Sequence, residues 1–136
     1  MKNNSDLGRV LAIIEDDELR CEFQNLLRDS PWKVETARGL DEAATLLRSS
    51  AYGLVAAGGK HWKAVVKQAH WLTPAPRVIV VERTAGEDLW LEVLQHGVYD
   101  LVALPLDRRE VLRVLALAWV SWCDEAIETE SRLSPT

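Results

Sequence analysis

No stretch of the sequence approaches the ~20 consecutive apolar residues needed to cross a bilayer, so a membrane-spanning protein is not expected. The opening MKNNSDLGRV has neither the apolar stretch nor the cleavage site of a secretory signal, which predicts a cytoplasmic setting. Cysteine is scarce. Cys21 and Cys123 lie far apart and lack CxxC or Cys/His spacing, so neither a disulfide framework nor a zinc site is expected and both read as ordinary thiols. Basic residues are outnumbered, 16 Lys and Arg against 21 Asp and Glu, for a net charge of -5. That balance argues against a general nucleic-acid surface, because phosphate neutralisation needs clustered Lys and Arg. Acidic residues have a gap of their own: none occurs between Glu42 and Glu82.

What is present is one domain's worth of chain, 136 residues of which 48% are hydrophobic. Short apolar runs alternate with amphipathic stretches of helical length. RVLAII (9–14), KVETA (33–37), GLVAA (53–57), RVIVV (77–81) and DLVAL (100–104) have strand length and aliphatic content. All but KVETA are nearly continuous in apolar residues, as parallel strands covered on both faces should be. KVETA alternates and suits an edge. Between the strands, Leu19, Phe23, Leu26 and Leu27 share one helical face, as do Leu40, Ala43, Ala44 and Leu47. Helical segments also follow the third and fourth strands, and a fifth helix begins at Asp107. The order is (βα)5, which with right-handed crossovers predicts an α/β, doubly wound parallel sheet with any site at the carboxyl ends of the strands.

RVLAIIEDDELRCEFQNLL resembles the opening of a bacterial response-regulator receiver domain, in which the first strand ends in an acidic pair, here Glu15 and Asp16. YGLVAA as third strand, RVIVVE as fourth, and LQHGVYDLVALPLDRREVL extend the resemblance over about residues 9–123. It implies a flavodoxin-like three-layer sandwich with strand order 2-1-3-4-5, after an extension of residues 1–8 and before a polar tail or linker, 124–136.

The resemblance also implies a chemistry: a phosphoryl group passes from a histidine kinase to an aspartate ending the third strand, with oxygen ligands holding Mg2+. This sequence departs from that pattern at three places. Gly58 stands at the phosphoacceptor position, and the acid gap means no register slip can supply a carboxylate. Glu82 stands where the family has a Ser or Thr, and its charge would repel a phosphoryl group. Leu104 stands where the family has a lysine before the proline, here Pro105. Nucleophile, switch hydroxyl and counter-charge are all replaced, so the expectation is an atypical pseudo-receiver with no catalytic residues. Glu15, Asp16 and Glu82 are the only candidates for an Mg2+ site. With the third-strand aspartate missing they supply few ligands, so no cofactor is the first expectation; the alternative reading is that Glu82 substitutes as a third carboxylate and the crevice binds Mg2+ or a small ligand. The simpler role for Asp16 or Asp17 is to cap the first helix.

Other constellations carry less. GLVAAGGKH misses the phosphate-loop spacing, and His61 stands where a hydroxyl should follow the lysine. His61, His70 and His96 are scattered, with no Ser or Cys at a nucleophile elbow, so no enzyme is predicted. Lys60, Lys63 and Lys67 form a basic stripe near Trp62 and Trp71, either a solvated face or a contact for an acidic partner.

The last helix, REVLRVLALAWVSWCDEAIE, is apolar around most of its circumference, whereas a helix on a sheet needs only one apolar side. In receiver domains the face made by the fourth helix, fifth strand and fifth helix is the common dimerisation and output surface. The resemblance therefore implies a homodimer through Trp90, Leu94, Leu115, Trp119 and Trp122, Trp being enriched at binding hot spots. Another signalling protein or a downstream output domain is the other partner to consider; no nucleic acid or membrane is expected. The competing readings are that Trp119 and Trp122 cap the core, or that the helix runs on toward a further module. The chain is either a stand-alone receiver or the front of a longer regulator, a place where atypical receivers are found in transcription activators.

Overall fold

The structure, a computed structural model, describes residues 8–49 and 52–133. Five parallel strands form one sheet in the predicted order β2-β1-β3-β4-β5: β1 (Arg9–Ile14), β2 (Lys33–Thr36), β3 (Leu54–Gly58), β4 (Arg77–Glu82) and β5 (Asp100–Ala103). Five helices alternate with them: α1 (Asp17–Leu26), α2 (Leu40–Ser49), α3 (Trp62–His70), α4 (Glu87–Gln95) and α5 (Arg108–Leu133). Every residue of β3 and the interiors of β1 and β4 are buried, whereas β2 is half-exposed. The continuous apolar runs and the one alternating run therefore have the cause expected of them, cover on two faces and an edge position.

The period of two along each strand divides the core. Leu11 and Ile13 face α2, α3 and α4, whereas Val10, Ala12 and Ile14 face α1 and α5. Phe23 and Leu19 anchor α1 against the second of these layers, each burial contributing roughly 1.5–3 kcal/mol before packing effects. The turn from β1 into α1 is fixed by Asp16, whose carboxylate accepts the Leu19 N–H at 3.1 Å as the helix N-cap.

At the amino ends of the strands α5 is fastened in two ways. Arg77, the first residue of β4, donates to the Ser121 hydroxyl at 3.0 Å, the Ser121 carbonyl at 3.1 Å and the Glu125 carboxylate at 2.7 Å. Beside this clamp, Trp119 and Trp122 stack with centroids 5.3 Å apart, and Trp32 meets Trp119 edge-on at 6.0 Å. The pair lies directly on the chain at Gly53, where an added Cβ would be 2.8 Å from the Trp119 ring and 2.9 Å from that of Trp122.

This packing corrects part of the predicted contact face. Leu115 is 1% exposed and belongs to the core layer shared with α1, because it falls on the inward side of α5 with Val111, Val114 and Ala118. Trp119 and Trp122 are half-buried and pack against the chain at Gly53. Trp90 and Leu94 do face solvent. The boundary drawn at residue 123 falls inside one uninterrupted helix of 26 residues. Residues 1–7 and 134–136, the greater part of the expected extension and the end of the expected tail, lie outside the described residues.

A polar cluster occupies the β1–β2 edge. Arg9 holds Glu35 through two hydrogen bonds, 2.9 and 3.1 Å, lies 4.6 Å above the Tyr52 ring, and the Tyr52 hydroxyl donates to the same carboxylate. Arg9 keeps the Glu35 carboxyl below its ordinary range, while burial first and the hydrogen bond to Glu35 second push the Tyr52 phenol up to about 12.

Two outcomes follow. Trp119→Ala is expected to lower stability by about 3 kcal/mol in denaturant unfolding, against a change within ~0.5 kcal/mol for the exposed neighbour Val120→Ala. A raised folded pKa means Tyr52 adds stability that is intact below its unfolded value near 10 and is lost as pH climbs through about 12. In Tyr99→Phe, where Tyr52 is the remaining tyrosine, phenolate absorbance should rise with a midpoint near 12; a midpoint near 10 would contradict the burial of that hydroxyl.

Candidate functional site

The carboxyl ends of β1, β3 and β4 open into a crevice of about 510 Å³ lined by Glu15, Asp16, Gly59, Glu82, Arg83, Thr84 and Leu89. All the predicted acidic residues reach it, but each carboxylate has a partner of another kind. Glu82 accepts the Gly59 N–H at 2.9 Å, which ties the end of β4 to the turn after β3. Glu15 packs against Gly59, with the His61 Nε2 3.4 Å from its carboxylate. Asp16 has its cap bond to Leu19 and a two-pronged contact with the Arg83 guanidinium, Nε to one oxygen and Nη2 to the other at 3.0 Å. Arg83 also reaches Glu18 at 2.8 Å.

Arg83 is the residue the sequence reading did not single out. It lies 67 positions from Asp16 along the chain, so nothing in the local pattern of either segment signals their meeting. Its effect is electrostatic. The hydrogen bonds from Arg83, followed by that from the Leu19 N–H, hold the Asp16 carboxyl below its ordinary range. Asp16 and Glu18 thus share a cation supplied by the chain itself. Among the described residues, no three His, Cys, Asp or Glu side chains gather as a metal-holding group.

Backbone closes the space beside Gly58. Gly58 is the last residue of β3 and is buried, and a Cβ built on it would stand 2.3 Å from the Val81 carbonyl oxygen of β4. Contacts that close to backbone force a shift of one strand or the other. Gly59, at φ +97°, makes the turn that leads away from this point, a conformation few other residues adopt at low cost. Leu104, which precedes Pro105, packs against the core layer of α1 and α5 and so brings no charge to the crevice.

The basic stripe is divided by its surroundings. Lys63 pairs with Glu92 of α4, Trp62 is buried with its ring edge-on to His96 at 5.4 Å, and Lys60 and Lys67 face solvent. Trp71 is 84% exposed. A larger groove of about 640 Å³ runs along α1 and β2, lined by residues including Cys21, Arg28 and Trp32, far from the strand ends where the acidic residues meet.

Placing a carboxylate at position 58 is expected to fail for steric reasons. Gly58→Asp and Gly58→Ala should both cost roughly 1–3 kcal/mol in denaturant unfolding, since the clash begins at Cβ. Gly58→Asp should gain no phosphoryl mass on incubation with acetyl phosphate. A stable, phosphorylated Gly58→Asp protein would show that the strands part easily and that the Val81 carbonyl is no barrier.

No family model matches the chain. Among curated proteins it is similar to the alginate biosynthesis transcriptional regulatory protein AlgB of Pseudomonas putida, 26% identical over 133 residues. That alignment takes in 92% of this chain but 30% of the relative, so the chain spans less than a third of its length. Among solved structures it resembles the signal receiver domain of an HD domain-containing protein from Pseudomonas fluorescens, with TM-score 0.78 and 20% identity over 93% of this chain and 96% of that one. A CheY-like response regulator receiver domain protein from Methanospirillum hungatei gives TM-score 0.74 and 20% identity, over 88% and 98%. Strand order, helix placement and these neighbours agree: the chain has the flavodoxin-like fold of response-regulator receiver domains.

Proposed function

We propose that this is a phosphorylation-independent receiver domain, acting in signal transduction or transcription regulation through protein contacts, with no phosphotransfer and no turnover. Gly58 carries the reading: it offers no nucleophile, and the Val81 carbonyl occupies the space a side chain would need. The paired carboxylates of the crevice and the apolar Leu104 support it, because neither leaves a charge arrangement suited to a transferring phosphoryl group. The resemblance to a protein named as a transcriptional regulator favours a regulatory setting.

The contact surface is the α4–β5–α5 face, used for self-association as a homodimer. On α4, Trp90, Leu91 and Leu94 lie open to solvent, Leu94 to 63%, and Tyr99 stands beside them just before β5. Leu117 on α5, one turn before the Ser121 that meets Arg77 of β4, is exposed on the same flank. Grouped large apolar side chains of this kind mark interaction sites in soluble proteins. Leu115, Trp119 and Trp122 contribute to this face only by holding α5 in place.

Sedimentation velocity over a wide concentration range tests both parts. The expected result is a reversible dimer that is indifferent to acetyl phosphate and is weakened at least tenfold by Leu94→Asp, which puts a charge in the apolar contact. A monomer at every concentration would sink the homodimer, and a dimer formed only with acetyl phosphate would sink phosphorylation independence.

A further inference from the structure

The geometry points to Arg83 as a latch that fastens the β4–α4 loop to the start of α1, serves as the crevice's own counter-ion, and so fixes the α4 contact face without any outside cation. Arg83 is the first residue after β4, and three residues separate it from α4. Its guanidinium spans Asp16, the N-cap of α1, and Glu18 in the first turn, so one side chain joins the β4–α4 loop to the start of α1. Two-pronged guanidinium–carboxylate contacts fix orientation as well as distance, which a lysine cannot reproduce.

The charges facing this point explain why a cation is needed. Glu15 and Glu82 line the same crevice, and Asp17 and Glu18 follow Asp16 in the first turn of α1. Against these, Arg20 is engaged with Asp17 and the Ile14 carbonyl, and His61 stands by Glu15. Without Arg83 the acids at the mouth would repel one another and release the loop that leads into Trp90, Leu91 and Leu94. The latch deepens the contact-domain reading and rests on it for its consequence.

Hydrogen–deuterium exchange of the full chain, followed by mass spectrometry, reads the latch directly. In Arg83→Gln, amides of residues 83–89 should exchange severalfold faster while those of β1 and β3 keep their wild-type rates. Arg83→Lys should recover only part of the protection. Wild-type exchange in this loop should not change when MgCl2 replaces NaCl at constant ionic strength. Unchanged exchange in Arg83→Gln, or wild-type protection that depends on Mg2+, would overturn the latch. Sedimentation velocity of Arg83→Gln then separates the latch from the contact reading: weaker association is expected. Faster loop exchange with unaltered association would overturn the link to the α4 face, while Leu94→Asp tests that face independently.

Discussion

Burial of a parallel sheet on both faces is the constraint from which the rest of this molecule follows. A strand such as β3, with every residue buried, can be satisfied only by its neighbours' backbones and by helices above and below. That requirement dictates crossover connections, and these in turn bring every turn that leaves a strand's carboxyl end to one edge of the sheet. Glu15, Gly58, Glu82 and Leu104 are neighbours for that reason alone, whatever chemistry they retain.

The edge so assembled is a set of internal contacts. The Val81 carbonyl sits over Gly58, the Gly59 N–H satisfies Glu82, and Arg83 satisfies Asp16 and Glu18. Each substitution is compatible with the others. A glycine lets β3 and β4 approach, the approach allows the turn after β3 to reach the glutamate, and the arginine that follows the glutamate is thereby aimed at the first helix. Such mutual consistency among neighbouring contacts is what a funnelled sequence shows.

Much of this was legible before the structure. The apolar runs gave five strands because double cover needs continuous hydrophobicity, and KVETA gave an edge because one of its faces is wet. Asp16 was readable as a cap because an acid before an amphipathic run meets free helix N–H groups. Arg83 was not readable, since its partners are distant in sequence. Nor was the inward aim of Leu115, Trp119 and Trp122. A helix apolar on several sides has no periodicity from which to choose the side that meets the sheet, and only the fixed points at Gly53 and Arg77 settle its rotation.

Those fixed points have a further consequence for α5. Arg77 of β4 holds it at Ser121 and Glu125, and the helix continues without interruption to Leu133. Past Glu125 it is a rod whose bearing is dictated by the sheet. Any polypeptide joined to its far end would inherit an azimuth: one inserted residue would turn that cargo by about 100° and advance it by about 1.5 Å, and a deletion would turn it back. Helical phase, and not length alone, would decide how this domain presents whatever it is attached to.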